Sequence, residues 1–250
     1  IFLAPSKTLN ERDGDIYSPS IPIFENEASL LVASLREKSK AELESLLSIS
    51  KDLAESSYLR FKTWDTYSAK DSKALQAINA FSGEVYRGLD YKSLNAREKE
   101  ISNECVFILS GLYGILKPLD LIQPYRLEMG TRISVGKADN LYKFWDSNLA
   151  DALNNEMKDG SLLINLASSE YFKAVPKKVL KASMITPIFK ELKNGDYKIV
   201  MTYAKRARGL MVRYIIENEI NTLEELKGFN TDGYAFTESL STETELVFTR

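Results

Sequence analysis

The residues best suited to chemistry in this sequence lie in an irregular segment between positions 110 and 130. Proton donors, cations and carboxylates occur together there: Tyr113, Lys117, Asp120, Tyr125, Arg126 and Glu128. Gly111 and Gly114 permit tight turns, and long irregular segments usually serve a site. The composition fits a pocket for a small molecule or a phosphodiester. It equally fits a structural loop in which Arg126 is tied to Glu128 or Asp120.

A second group of candidates is the cationic stretch from Lys173 to Arg213, in which eleven basic residues stand against two acidic ones, a local charge of +9. The apolar pattern predicts a largely buried helix from Ala204 to Glu219. Its first turn would carry three cations, where the helix dipole disfavours each by up to about 1 kcal/mol. Those cations are Lys205, Arg206 and Arg208.

Cations and free backbone N–H groups at a helix start favour a bound phosphate. The alternative is an internal network in which Glu217 and other carboxylates neutralise Arg206 and Arg213, because an unpaired buried charge costs several kcal/mol. A further strand-to-helix corner at 164–173 offers Ser168 or Ser169 as an N-cap, or its N–H groups as a weaker anion site.

Regular elements must position these groups. Helical periodicity predicts two or three short helices over 25–61 and further helices at 73–81, 93–101, 140–157 and 222–226. Apolar runs predict strands at 1–4, 106–109 and 162–166, and alternating stretches predict strands near 234–236 and 246–248. Cys105 is interpreted as a buried strand residue.

The clearest local signal is Asn194-Gly195, which lies between apolar stretches over 185–203. Asn-Gly tolerates the positive φ angles of a tight turn, so a β-hairpin is predicted there. We expect one mixed α/β domain over 1–250, with a central β-sheet that includes this hairpin and with helices around it.

Composition excludes several function classes. The 250 residues contain no histidine and one cysteine, so Ser-His-Asp catalysis, His-containing zinc sites and multi-cysteine metal cages are ruled out. We therefore predict no metal and no cofactor. No stretch approaches the roughly 18 apolar residues of a membrane span, and we expect a reducing cytoplasm. The formal net charge of −2 excludes polyanion binding through bulk charge but allows a local patch.

Six blocks along the chain resemble the signature blocks of the YaaA peroxide-stress family. They are spread over essentially the whole length: 5–9, 81–89, 109–130, 164–172, 203–211 and 228–234. One departure is that the family reads Ser-Pro-Ala-Lys where this chain reads Ala4-Pro5-Ser6-Lys7.

The resemblance implies a bacterial cytoplasmic protein that acts in the response to hydrogen peroxide by binding duplex DNA and protecting it. It also implies a single α/β fold with a positive cleft and a helix-hairpin-helix-like element, for which the region Lys40 to Lys62 is a candidate.

The first hypothesis is therefore a DNA-binding stress protein, with a small anion or nucleotide as a further ligand and no membrane partner. Its predicted phosphate ligands are Lys7, Arg126, Lys173, Lys177, Lys178, Lys205, Arg206, Arg208 and Arg213. The alternative is an enzyme that acts on a phosphate-containing or nucleic-acid substrate, with Lys7 or Tyr125 as its acid or base. The sequence leaves open whether any reaction is catalysed.

Overall fold

Groups of strands and groups of helices follow one another along the chain. The structure, a computed structural model, describes residues 1–11, 16–66, 74–158 and 160–250. The strands are β1 (Phe2–Leu3), β2 (Thr8–Leu9), β3 (Leu75–Gln76), β4 (Phe81–Ser82), β5 (Phe107–Ser110), β6 (Gly114–Leu116), β7 (Leu121–Ile122), β8 (Leu162–Ile164), β9 (Ser183–Lys193), β10 (Asp196–Lys198), β11 (Ala235–Phe236) and β12 (Glu245–Thr249).

The helices precede and separate these strands. They are α1 (Glu25–Arg36), α2 (Lys40–Leu47), α3 (Lys51–Thr63), α4 (Ala77–Ala80), α5 (Glu84–Leu89), α6 (Ala96–Cys105), α7 (Leu141–Trp145), α8 (Asn148–Glu156), α9 (Ser169–Phe172), α10 (Met201–Glu217) and α11 (Leu223–Lys227).

The main β-structure is a mixed sheet assembled from distant parts of the chain. One part has the order β1-β5-β6, and a second has the order β10-β9-β12-β11 with β8 also paired to β9. A parallel bridge between Phe2 and Asn165 connects the two parts through β1. Strands β5, β1, β8, β9 and β12 run parallel in successive pairs, whereas β6, β10 and β11 are antiparallel to their neighbours.

One continuous hydrophobic core unites the two parts of the sheet and the helices. It includes strand residues such as Phe2 and Phe248 and helix residues such as Leu31 and Met211. The predicted mixed α/β single domain is thus confirmed. No helix in the described ranges has both the length and the apolar character needed to cross a bilayer.

The predicted hairpin is confirmed, and its turn has the expected conformation. Asn194 and Gly195 have φ angles of 54° and 84°, so both are left-handed, as a two-residue turn requires. Lys193 pairs with Asp196 across the turn. The second arm is shorter than predicted, because β10 ends at Lys198 and α10 begins at Met201.

Other local predictions needed correction. The predicted helix 140–157 is two helices separated at Asp146, whose φ is 37°. Lys73 lies outside the described residues, and only Ala77–Ala80 of the predicted helix 73–81 is helical, because the flanking residues pair with β7 and β2. Cys105 is the last residue of α6 and not a strand residue, and burial raises the pKa of its thiol.

Three helices lie between 25 and 63, which confirms the prediction of two or three short helices over 25–61. The predicted strands near 234–236 and 246–248 are also confirmed. Helices α2 and α6 start with capping boxes, in which the N-cap side chain and the carboxylate three residues later satisfy each other's backbone N–H groups. The pairs are Ser39 with Glu42 and Asn95 with Glu98. These local signals explain why helix positions here could be read from sequence.

Candidate functional site at the carboxyl edge of the parallel strands

The carboxyl ends of β5, β1 and β8 lie side by side, because the three strands are parallel and β1 is in the middle. The chain forms β1 first, then β5 on one side of it, and later β8 on the other. In open α/β sheets, ligands bind outside the carboxyl ends of the strands at the topological switch point, where successive strands are added on opposite sides of the first one. The loops that follow β1, β5 and β8 therefore define the candidate site.

A small cleft lies at this edge. We call it the carboxyl-edge cleft and define it by its lining residues: Pro5, Ser6, Lys7, Tyr125, Arg126, Leu127, Glu128 and Tyr171. It adjoins a wider groove of about 440 Å³, the outer groove, lined by Ser45, Leu46, Leu47, Ser48, Glu128, Gly130, Thr131, Arg132 and Glu170. Glu128 lines both spaces, so its side chain forms part of the boundary between them.

The charges in the cleft are arranged around Glu128. Its Oε2 lies 2.6 Å from Lys7 Nζ, and its Oε1 lies 3.4 Å from Arg126 Nη2. Arg126 Nε is buried and has no hydrogen-bond partner among the described residues. Such an unsatisfied donor is uncommon in proteins and often marks a place where a water, an ion or a ligand binds. The predicted link between Arg126 and Glu128 is confirmed, yet it uses only part of the guanidinium.

Tyr125, a predicted acid or base, is buried behind the cleft. Its hydroxyl lies 2.7 Å from Ser110 Oγ, which also accepts the backbone N–H of Tyr113 at 2.9 Å. Burial is the main cause that raises the pKa of Tyr125 above its usual value. The phenol therefore stays protonated at neutral pH, so Tyr125 suits the role of a hydrogen-bond or proton donor and not that of a base.

Two further tyrosines shape the cleft. Tyr86 donates its hydroxyl proton to Ala4 O at 2.9 Å and so holds the loop that follows β1. Tyr171 follows β8, and burial together with Tyr125, Glu170 and Glu128 raises its pKa. The cleft thus combines exposed charge at Lys7 with neutral, buried phenols.

Gly111 determines how closely the 125–128 segment approaches β5. A Cβ at Gly111 would lie well under 3.0 Å from the backbone oxygen of Leu127. Trp145 Nε1 donates to Gly111 O at 3.1 Å, which holds this backbone from the other side. Only glycine allows both contacts at once.

We expect Gly111→Ala to lower the free energy of unfolding by about 1–3 kcal/mol, because the methyl group must push the segment that carries Arg126 and Glu128 away. Urea denaturation measures the loss. Gly136→Ala is the control, since nothing lies within 4 Å of a Cβ there and only its φ of +59° is strained. Equal or smaller loss at Gly111 would contradict the proposed close approach.

The cationic turn of α10, which carries Lys205, Arg206 and Arg208, does not lie at the helix start as the sequence predicted. The helix begins at Met201, so Lys205, Arg206 and Arg208 lie in its second and third turns, and the predicted phosphate site at the helix start is wrong in its geometry. Lys205 and Arg206 are exposed and form no ion pair within the described chain. They remain accessible to an external anion without help from the helix terminus.

Arg208 points in a different direction from its two neighbours. It lies one helical turn from Ala204 and from Val212, which are both buried, so it belongs to the inner face of α10. The part of the chain that is described offers it no ion pair or hydrogen bond. Burial lowers the pKa of Arg208, as expected for a cation removed from water.

Arg213 is partly exposed and is bound by groups of the protein itself. Its Nε lies 2.7 Å from Glu217, and its Nη1 donates to Leu89 O at 3.1 Å and to Ser93 Oγ at 2.7 Å. The internal network with Glu217, which the sequence left as an alternative, is present at this residue. Arg213 therefore connects α10 to the end of α5.

Helix α5 links the cationic turn to the cleft. A Cβ at Gly209 would overlap the backbone oxygen of Val85, and one at Gly83 would lie 3.2 Å from Ser6 Oγ. Since α5 has six residues, its length is about 9 Å. The cationic turn of α10 and the loop after β1 thus contact the same short helix.

The remaining predicted ligands lie on the segment after α9. Lys173, Lys177 and Lys178 are exposed and make no ion pair within the residues described, and Lys177 Nζ lies 4.8 Å from the ring centroid of Phe172. The structure brings Lys7 and Arg126 together in one cleft. It places these three lysines on a surface segment that follows the helix carrying Tyr171.

A family model described as "Peroxide stress protein YaaA" matches residues 1–240. The chain belongs to this family. Bacterial relatives described as UPF0246 proteins align with the full length of this chain. One from Aliivibrio fischeri strain ES114 is 47% identical, covering 100% of this chain and 97% of its own. One from Flavobacterium johnsoniae is 45% identical, and the match covers 100% of this chain and 99% of the relative. Membership in the YaaA family supports a role in peroxide stress.

The region Lys40 to Lys62, the candidate for the helix-hairpin-helix-like element that the YaaA resemblance implies, contains two helices. Their identity as that element stays a prediction. Helices α2 and α3 are joined by Ser48-Ile49-Ser50, where Ser48 is left-handed with a φ of 52° and Ser50 caps α3. No glycine lies in this turn. Its Ser48 lines the outer groove, next to Glu128. Contact of this pair with DNA stays a prediction.

Sequence reasoning missed several groups of this candidate site. Ser110, which holds the Tyr125 hydroxyl, and Glu170, which accepts the Gly130 N–H at 2.9 Å, were not singled out for these roles. Tyr171 was also missed. All three lie within the blocks that resemble the family, which was the one available signal for them.

Proposed function

We propose that this YaaA-family protein binds duplex DNA during peroxide stress and protects it from oxidative damage. The supporting observation is the unpaired charge between Lys173 and Arg213. Of the eleven basic residues there, only Lys198 and Arg213 form ion pairs within the described structure, which leaves nine without one.

Unpaired surface cations suit a polyanion for a physical reason. Each lysine or arginine that neutralises a phosphate releases condensed counterions, and this release supplies most nonspecific affinity. The overall charge of −2 does not attract DNA, so the local +9 must provide the attraction. Phosphate contacts carry no sequence information, which fits protection of DNA in general.

The test is a variant in which Lys205, Arg206 and Arg208 are all alanine. We expect weaker duplex binding at each salt concentration, because the two exposed phosphate ligands Lys205 and Arg206 are gone together with the half-buried Arg208. The slope of log affinity against log salt should become shallower by about 1 for each exposed cation removed. Fluorescence anisotropy of a labelled duplex over a salt series measures both quantities.

The matched control is Lys143→Ala together with Lys227→Ala, which removes two cations that already pair with Asp139 and Glu224. Their slope should match that of the wild type. A second variant carries only Lys205→Ala and Arg206→Ala and keeps the half-buried Arg208. It shows whether a loss of binding arises from the exposed cations, in case the triple variant misfolds. An unchanged affinity and slope in the triple variant would refute the assignment of α10.

The carboxyl-edge cleft supports a second candidate function, an enzyme that acts on a phosphate-containing or nucleic-acid substrate. Its position at the carboxyl ends of parallel strands is typical of substrate sites. Lys7, with 63% of its side chain exposed, would contact the substrate as acid or base, and Tyr125 would donate a hydrogen bond or proton. Turnover assays on nucleotides and abasic DNA test this. Loss of turnover in Lys7→Ala with intact duplex binding would favour it.

A further inference from the structure

We propose that Glu128 is a built-in competitor for a phosphate group, so that the carboxyl-edge cleft binds a ligand phosphate only when Glu128 is displaced from Lys7 and Arg126. This inference deepens the second candidate function and rests on it. It assigns the ligand class, a phosphate monoester or diester, and the side chain that restricts its entry.

The first support is how Glu128 uses its two oxygens. Oε2 contacts Lys7 and Oε1 contacts Arg126, so one carboxylate bridges two cations from different loops. A phosphate would use two of its oxygens in the same way. The internal carboxylate therefore occupies the position that an external anion needs.

The second support is the incomplete coordination of Arg126. Only Nη2 contacts Glu128, at 3.4 Å, while Nε is buried and lacks a partner in the described structure. A phosphate can accept from Nε and Nη2 together, since the guanidinium edge presents two parallel donors. Exchange of Glu128 for phosphate would thus satisfy a donor that the unliganded protein leaves unsatisfied.

The third support is the space on either side of Glu128. The cleft itself has a volume of about 20 Å³, which holds little more than one water. The outer groove of about 440 Å³ begins at the same side chain. Rotation of Glu128 into the outer groove would enlarge the cleft. Arg132, which forms no ion pair in the described ranges, lines that groove and offers a new partner, whereas Glu170 on the same groove opposes the move.

The test compares wild type with Glu128→Gln, which keeps the shape and removes the charge. Inorganic phosphate and a 5′-mononucleotide are titrated separately at constant ionic strength, and binding is followed by ³¹P NMR. We expect Glu128→Gln to bind phosphate at least about fivefold more tightly, the factor that corresponds to about 1 kcal/mol. If only the mononucleotide binds, the cleft recognises the phosphate as part of a nucleotide. If inorganic phosphate binds as well, the cleft recognises the phosphate group alone.

Two further variants make the result specific. Glu156→Gln removes a carboxylate that pairs with Lys117 at 2.5 Å and should leave phosphate affinity unchanged. Arg126→Lys in the Glu128→Gln background keeps the charge but loses the two-donor edge, so phosphate binding should be lost. If Glu128→Gln folds poorly by circular dichroism, Glu128→Ala replaces it, because alanine also removes the competing carboxylate.

Equal phosphate affinity in wild type and Glu128→Gln, or binding in neither, would overturn the inference. Duplex binding and turnover are measured on the same samples, so that the proposals fail separately. Duplex binding without any phosphate effect leaves the DNA proposal standing. Turnover of a phosphate-containing substrate with a KM that Glu128→Gln does not change leaves the enzyme proposal standing and refutes the role of Glu128.

Discussion

Gly209→Ala is expected to lower the free energy of unfolding by about 3 kcal/mol or more, the upper end of the range for overpacking. At this point α10 crosses α5 with their backbones in contact. A Cβ at Gly209 would overlap Val85 O, and a Cβ at Gly88 would overlap Arg206 O. Both obstacles are backbone atoms, so a side-chain rotation cannot relieve them and the two helices must separate.

The sign of this effect makes it diagnostic. In an unconstrained helix the same change stabilises by about 1 kcal/mol, because alanine is the better helix former. Urea denaturation of Gly209→Ala, with the exposed Thr202→Ala on the same helix as control, distinguishes the two cases. Stabilisation would show that the crossing is looser than described. Duplex affinity should fall with stability, since the shift moves Lys205 and Arg206.

The second large effect is expected at Arg250. Its Nε lies 2.8 Å from Glu191, a carboxylate that is 8% exposed and that also accepts the hydroxyl of Tyr234. Its guanidinium carbon lies 4.9 and 4.8 Å from the ring centroids of Tyr203 and Tyr234. Hydrogen bonding to Glu191 is the largest cause that raises the pKa of Arg250.

Arg250→Ala should therefore lower the free energy of unfolding by about 3 kcal/mol, because it leaves Glu191 buried without its cation. This value is at the lower end of the range for buried ion pairs, because Arg250 is partly exposed. Arg250→Lys should recover only part of the loss, as lysine lacks the planar group that stacks between the two rings. Replacement of both Glu191 and Arg250 by methionine should restore much of it. A loss under about 0.5 kcal/mol in Arg250→Ala would mean that the pair behaves as a surface ion pair.

Local signals explain which parts of the fold could be predicted. Asn194-Gly195 determines its turn through its own backbone preferences, so the hairpin was predicted correctly. The start of α10 was placed three residues late, because Val200 makes no side-chain capping hydrogen bond and nothing marks the boundary. The break at Asp146 was missed for a similar reason. Asp146 has a positive φ although it is not a glycine, so the sequence gives no signal of the break.

The candidate site could be predicted only in part, because it depends on pairing between distant strands. Lys7 and Arg126 were proposed as ligands, but their meeting at Glu128 requires β1 to pair with β5 and the segment 125–128 to approach the end of β5 at Gly111. Strand β1 has two residues, too few for any periodicity. The carboxyl-edge cleft is therefore a property of tertiary structure, and the sequence alone supplied its components without their arrangement.

The central position of β1 has a consequence for synthesis on the ribosome. Phe2 pairs with Phe107, so the strand made first waits for a partner 105 positions later in the chain. At about 5 to 20 residues per second this delay is roughly 5 to 20 s, and the bridge between Phe2 and Asn165 forms later still. During that time the nascent chain carries an unpaired apolar segment, which is exposed to aggregation until β5 has been made.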